Sequence, residues 1–371
     1  MTESETPSRG QVLLEVEDLS THFTIDAGRL RAVDQVSFSL EPGQTMGIVG
    51  ESGSGKTVLS RTIMRLNLGS NVQTSGSVRF LDKELLDLPM DEMTKIWGQD
   101  MAMVFQDPMT SLNPVVKVGR QVSEHVRKHL GASKTESKAL AVELLRSVRI
   151  PEAETAVDRY PHELSGGMRQ RISIAIALAC GPKLLFADEP TTALDVTVQH
   201  QILNLLGLQQ QERSMAMVLV THDLGVVAGR TDEILVMYAG KIVEKAKTAE
   251  IFKSTEHPYT EALLRSIPKT DQPSHTRLAA IAGRPPTLIG ITKGCSFSPR
   301  CPYAQERCFE EAPPLEETTP GHYTACWYRV GTPENQEAWD KNLAAGRLST
   351  LAVEQGQIVD EVPLSVGPGD R

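Results

Sequence analysis

Between the apolar run Gln44–Val49 and the helix-compatible stretch Val58–Leu66 lies Gly50-Glu51-Ser52-Gly53-Ser54-Gly55-Lys56-Thr57. Glycines placed between the end of a buried strand and the start of a helix predict a strand–loop–helix unit wrapped around an anion. Gly50, Gly53 and Gly55, with Ser52 and Ser54 between them, let successive N–H groups converge on a phosphate. The helix N-terminus adds a partial positive charge and Lys56 a full one, while Thr57 offers a hydroxyl to Mg²⁺. A tight strand-to-helix turn with no ligand is the competing reading, and the pattern together with its flanks disfavours it.

A chain of 371 residues has material for one large domain and a smaller one. Its longest apolar runs, such as Ile172–Cys180 and Met215–Val220, fall well short of the roughly 20 residues that span a bilayer. The opening Met-Thr-Glu-Ser-Glu-Thr-Pro has no basic region and no apolar core, so a cytoplasmic address is expected. A net charge of −9 argues against an extended nucleic-acid footprint.

The fold class implied is α/β. Residues 1–12 read as a disordered tail. Leu13–Asp18 and Ala32–Leu40 alternate apolar and polar residues like an antiparallel pair, with Phe23 between them. A lone Phe more often packs in a core; upstream of a phosphate loop, its ring stacking on adenine is the alternative. Gly76–Leu81 and Met101–Phe105 read as strands. From Gln106 to about Pro161 a helical period takes over, with Val118–Leu130 and Lys138–Val148 as helices. Leu184–Pro190 is a buried strand ending in Asp188 and Glu189, and Val218–Val220 ends in Thr221-His222-Asp223. Ligands of open α/β sheets gather at the carboxyl ends of strands, so these polar ends are expected to meet Lys56.

Nucleotide hydrolysis needs phosphate neutralisation, a metal, and a group that orients and deprotonates water. Asp188 is the candidate for Mg²⁺ and Glu189 for the general base, with capping of the next loop as the structural alternative. His222 is placed to touch the γ-phosphate and hold Glu189 in line, and Gln106 to contact both Mg²⁺ and the attacking water. A second glycine turn, Leu164-Ser165-Gly166-Gly167-Met168-Arg169-Gln170, is read as completing the site of a neighbouring molecule.

This set closely resembles the ATP-binding cassette ATPases: phosphate loop, glutamine loop at Gln106, signature at Leu164–Gln170, acidic strand end, a following loop at Ala193-Leu194-Asp195, and switch His222. The resemblance implies two cassettes closing head to tail, with Ser165, Gly166, Gly167 and Asp195 of one facing the ATP held by the other. Gln106–Pro114, His257-Pro258-Tyr259-Thr260 and Gly283-Arg284-Pro285-Pro286, followed by a cysteine segment, are similar to the dipeptide/oligopeptide permease ATPases and their nickel-importing relatives. That family implies ATP-driven import with a related ATPase subunit as heterodimer partner, two membrane permeases and an extracytoplasmic solute-binding protein, at the cytoplasmic face of the membrane. The implied organisation is an ATPase domain over 13–255, with a helical subdomain at about 107–164, a C-terminal region over 256–330, and a flexible tail from 331 containing one weak helix. A nickel or other small-solute importer and a soluble cassette ATPase acting on nucleic acid or ribosomes are the alternatives.

Cys295, Cys301, Cys308 and Cys326 crowd one segment, whereas Cys180 stands apart. Four clustered cysteines in a cytosolic chain favour a metal over disulfides, and the absence of a C-x2-C pair favours a [4Fe-4S] cluster over Zn²⁺, with reduced or partly unliganded cysteines as the remaining alternative. A third reading of the whole chain, an iron–sulfur regulator whose cassette only binds nucleotide, rests on that expectation.

Overall fold

The computed structural model describes residues 12–107, 111–192, 194–267, 281, 283–290 and 293–346. It opens with a long hairpin, β1 (Leu14–Ile25) and β2 (Gly28–Leu40), paired from Leu14↔Leu40 to Ile25↔Gly28. Sequence alternation predicted only its base, because the tip, Thr24–Arg29, is exposed on every residue and carries no buried face. Next come β3 (Thr45–Val49), α1 (Lys56–Ile63), β4 (Val72–Phe80), β5 (Lys83–Glu84), α2 (Met90–Ile96) and β6 (Met101–Val104). The antiparallel sheet runs β2-β1-β4-β5. Its inner face, including Leu14, Val16, Val36, Phe38, Val78 and Phe80, packs on Leu59 and Ile63 of α1.

The helical insertion holds α3 (Val118–Leu130), α4 (Lys134–Ser147) and α5 (Ala153–Ala156), and leads into α6 (Gly166–Leu178). Gly131, at φ 65°, ends α3 in the left-handed region that glycine favours. Helix α4 begins four residues ahead of the expected Lys138, because Ser133 and Glu136 form a reciprocal capping box. Val122 and Val126 share one buried cluster with Ala141, Leu145 and Ile172.

The remainder comprises β7 (Leu184–Asp188), α7 (Val196–Arg213), β8 (Ala216–Thr221), α8 (Leu224–Val227), β9 (Glu233–Tyr238), β10 (Lys241–Lys247), α9 (Thr248–Ser254), α10 (Pro258–Arg265), α11 (Glu306–Glu310), β11 (Glu316–Thr319), β12 (His322–Thr324) and α12 (Pro333–Ala344). The main sheet runs β11-β12-β10-β9-β3-β8-β7-β6. Strands β6, β7, β8, β3 and β9 are parallel, and β10, β12 and β11 continue the sheet antiparallel. Every residue of β3, β7 and β8 is buried, as expected for parallel strands covered on both faces.

The C-terminal part is tied to this sheet through a buried carboxylate. Glu244 on β10, fully excluded from solvent, accepts from His322 Nε2 at 2.8 Å, Thr255 Oγ1 at 2.9 Å, Glu256 N–H at 2.6 Å and His257 N–H at 3.2 Å. Burial alone would raise its pKa, but the His322 bond and the other donors outweigh it and hold the carboxyl below its ordinary value. The helix expected in the tail is α12, docked through Asn342 Nδ2, which donates to Pro302 O at 2.8 Å and Ala304 O at 3.0 Å. Residues 1–11 and 347–371 lie outside the described residues, as do Pro108–Thr110 of the glutamine loop and Ala193.

His257 caps α10, its Nδ1 accepting from the Tyr259 N–H at 3.1 Å. Burial pushes its pKa down from 6.5 to about 4. A depressed folded-state value means stability that is complete above pH 6.5 and is lost as pH falls toward 4. The Glu244 bond raises the pKa of His322, so that contribution is complete below 6.5 and fades only on alkalinisation. Acidifying from pH 6.5 to 5 should therefore cost about 1.5 kcal/mol through His257. A His257→Asn variant, which keeps a capping oxygen and cannot titrate, should show a smaller drop in Tm between those pH values. An equal drop would exclude His257 as the source.

Candidate active site

The five parallel strands bring their carboxyl ends to one edge. Val49 of β3 is in register with Thr221 of β8, Asp188 of β7 with Val220, and Val104 of β6 with Ala187. Four separated segments therefore converge on the loop that follows β3. Lys56 is 4% exposed and its ammonium donates to Gly50 O at 2.6 Å and Glu51 O at 2.9 Å. Burial lowers its pKa, and Glu189, Asp188 and Glu51 pull it back up. Gly55 is held at φ +103°, and a Cβ there would lie 2.2 Å from Ala32 O, so no other residue fits. At Gly53 (φ +81°) a Cβ would meet nothing within 4 Å, which leaves the loop open on that side.

Thr57 Oγ1 donates to Asp188 Oδ1 at 2.9 Å. The other oxygen, Asp188 Oδ2, is buried with no hydrogen-bond partner among the described residues, as is Ser54 Oγ. Burial raises the Asp188 pKa against the pull of Thr57, Arg61 and Lys56. A desolvated carboxylate with a spare oxygen beside a threonine hydroxyl fits a divalent cation, and the open glycine loop with its buried lysine fits nucleotide phosphates. ATP and Mg²⁺ are thus matched by the residues present.

Glu189 follows at φ 42°, a left-handed conformation that costs a non-glycine residue about 1–3 kcal/mol. Its N–H donates to Val220 O at 2.9 Å, which fixes the turn against β8. Its carboxylate accepts from Gln106 Nε2 at 2.9 Å and from Thr192 Oγ1 at 2.9 Å, and its Oε1 lies 3.4 Å from His222 Nδ1. Lys56, Thr57, Gln106, Asp188, Glu189 and His222 are thus one constellation. Thr192 was missed in the sequence, although a hydroxyl three residues past the acidic pair was legible as a partner.

Among the described residues, Ser165 and Asp195 are not hydrogen-bonded to that group. Each caps a helix, Ser165 accepting from Met168 N–H at 3.3 Å on α6 and Asp195 from Val198 N–H at 2.9 Å on α7. The two helix starts adjoin: a Cβ on Gly167 would lie 2.7 Å from Val198 Cγ1, and one on Gly166 would touch Leu194 at 3.5 Å. Neither cap bonds to the phosphate loop of its own chain. Phe23 is half-buried on β1, opposite Leu30 and Val72.

The expected metal centre of the cysteine segment is corrected. Cys295, Cys301, Cys308 and Cys326 are free thiols that line one small cavity with Phe297, Tyr303 and Trp327. Among the described residues, however, no group of three or more His, Cys, Asp or Glu side chains is arranged to hold a metal ion. Burial raises all four thiol pKa values, and the side chains pack as small hydrophobes. Neither the iron–sulfur cluster nor its zinc alternative is supported, and sequence spacing alone did not carry that inference.

The sequence profile of the family described as "ABC transporter" matches residues 33–192, and that described as "Oligopeptide/dipeptide transporter, C-terminal region" matches residues 243–308. The chain is 48% identical over 329 residues to the oligopeptide transport ATP-binding protein OppD of Salmonella typhimurium, covering 89% of this chain and 97% of that one. It is 48% identical over 316 residues to the dipeptide transport ATP-binding protein DppD of Lactococcus lactis, covering 85% and 90%. Among solved structures, the dimeric post-hydrolysis state of an ATP-binding cassette bound to ADP and Pi aligns with a TM-score of 0.57 at 29% identity, over 63% of this chain and 98% of that one. A second, cbiO1 from Clostridium perfringens, aligns with a TM-score of 0.55 at 26% identity, over 66% and 91%. Strand-end geometry, two family profiles and near-full-length identity agree: the chain belongs to the oligopeptide/dipeptide transporter ATP-binding proteins, a family of ABC transport ATPases.

Proposed function

We propose that this chain hydrolyses ATP to power import of di- and oligopeptides through a membrane complex. The observation that carries the reading is the convergence of Lys56, Thr57, Gln106, Asp188, Glu189 and His222 at one sheet edge, in a chain with the peptide-transporter C-terminal region. Gly50–Thr57 hold the β- and γ-phosphates, and the half-buried Phe23 offers a ring to adenine. Thr57, Asp188 and Gln106 hold Mg²⁺, which when bound neutralises phosphate charge. Glu189 accepts the proton of the attacking water, His222 keeps its carboxylate in line, and the bond from Gln106 moves with the helical insertion.

Ser165, Gly166, Gly167 and Asp195 serve the partner's site. The capping roles of Ser165 and Asp195, neither bonded to the loop of its own chain, and the exposed start of α7, with Val196 81% exposed, suit a head-to-tail dimer with a related ATPase subunit. Among the described residues no helix is long and apolar enough to cross a membrane, and in the proposed complex the pore is built by other subunits. We assign that role to two permeases, fed by an extracytoplasmic solute-binding protein, with this chain peripheral on the cytoplasmic face. An apolar groove lined by Leu66, Trp97, Phe105 and Ile176, beside the strand β6 that leads to Gln106, suits permease docking. Residues 13–255 form the ATPase unit and 256–330 the cysteine-bearing appendage.

Co-purification from the native membrane, with mass spectrometry of partners and of the solute on the associated receptor, tests this. Two permeases with a peptide-loaded receptor are expected. A metal-loaded receptor would reassign the cargo, and the absence of any membrane partner would overturn the transport reading.

A further inference from the structure

The second residue of the phosphate loop, Glu51, is gripped from the C-terminal region at both its backbone and its side chain. Its N–H donates to Tyr259 Oη at 2.7 Å. Its carboxylate accepts both arms of the Arg300 guanidinium, at 2.6 and 2.9 Å. These partners lie 208 and 249 residues downstream. The Arg300 side chain is only 4% exposed, and it also donates to Tyr238 Oη at 3.2 Å and Ile281 O at 3.3 Å. The guanidinium carbon lies 5.8 Å from the Tyr238 ring centroid, and Tyr238, Tyr259 and Phe297 pack on one another at tilted and edge-on angles with centroids 4.6 to 5.4 Å apart. On the other side, Pro285, Pro286 and Leu288 line a small cavity against Glu51–Ser54, and Leu288 O accepts from Arg31 N–H at 2.9 Å.

A guanidinium this buried persists only where its charge and donors are met, and a bidentate fork fixes the plane of its carboxylate. With Tyr259 taking the N–H, Glu51 is fixed at both ends just before Gly53 and Gly55, which sit at φ 81° and 103° and have the freedom to leave that arrangement. An empty loop of glycines must otherwise be ordered by its ligand at the ligand's expense in affinity.

We propose that Arg300 and Tyr259 are positioning residues of the phosphate loop, through which the C-terminal region sets the affinity of the cassette for nucleotide. This rests on the assignment of Gly50–Thr57 to ATP. The full-length chain is titrated calorimetrically with Mg·ATP and Mg·ADP, as wild type, Tyr259→Phe, Arg300→Lys and Arg300→Ala. Tyr259→Phe and Arg300→Ala should each raise both Kd values about tenfold, equivalent to about 1.4 kcal/mol. The fraction of chains that bind should stay unchanged. Arg300→Lys, which keeps the charge without the fork, should fall between. A purely structural role predicts a lower Tm or a smaller binding fraction at unaltered Kd, and that result overturns the proposal. Should Arg300→Ala not fold, Tyr259→Phe, which deletes one oxygen and keeps the ring, carries the test. A wild-type chain that binds no Mg·ATP would overturn the site assignment instead, so the two failures are distinct.

Discussion

Replacing Glu189 by Gln should lower ATP turnover by about 10²- to 10⁴-fold, the range spanned by loss of a positioned general base. The amide keeps the volume of the side chain and an oxygen that can still accept from Thr192 Oγ1 and Gln106 Nε2, both 2.9 Å away in the native site. What it lacks is a lone pair basic enough to take a proton from water. Binding and closure should survive, so ATP-bound dimers with the partner subunit should accumulate on size-exclusion chromatography. The left-handed backbone at this position is equally strained for Glu and Gln, so the fold is spared a new cost. Near-normal turnover in E189Q would remove Glu189 from the chemistry and shift attention to His222, whose ring nitrogen lies 3.4 Å away.

Lys56→Met should separate affinity from stability. The ammonium is almost wholly buried and held by the Gly50 and Glu51 carbonyls, and burial depresses its pKa, so the free protein spends stability to keep the charge there. Charged hydrogen bonds are worth about 1.5–3 kcal/mol each, so losing the phosphate contact should weaken Mg·ATP binding by about 10- to 150-fold. Methionine has a stem of similar length and no charge to desolvate, so Tm should stay within about 3 °C of wild type. Calorimetry and thermal melts on one preparation check both halves. Unchanged affinity would sink the assignment of this lysine to phosphate.

What the chain disclosed in advance follows from where its signals lie. Leu184–Asp188 and Ala216–Thr221 are continuous apolar runs ending in polar residues, and the structure makes them adjacent parallel strands. Val118–Leu130 has the boundaries its period predicted, because four residues on one face are buried and Gly131 stops it. The hairpin β11–β12 went unread, since Glu316–Thr319 is nearly all exposed and supplies no alternation; the Pro320-Gly321 turn was its one cue. The hold of Arg300 and Tyr259 on Glu51 was invisible for a different reason. Contacts across more than 200 residues leave no local period, and neither residue belongs to a motif that names Glu51 as its target. The cysteines show the converse hazard: four thiols close in sequence do share a cavity, yet sharing a wall is not the same as pointing at one centre.

The antiparallel continuation of the main sheet has a last consequence. Strand β10 is paired on both sides, by β9 and by β12, so the cassette and its appendage share one hydrogen-bonded ladder. A fragment ending at residue 255 would leave β10 as a bare edge, ready to recruit other chains, and would strand Glu244 without His322. Such a protein would be a sticky intermediate rather than a minimal motor. In the intact chain the shared ladder is expected to couple the melting of the two parts.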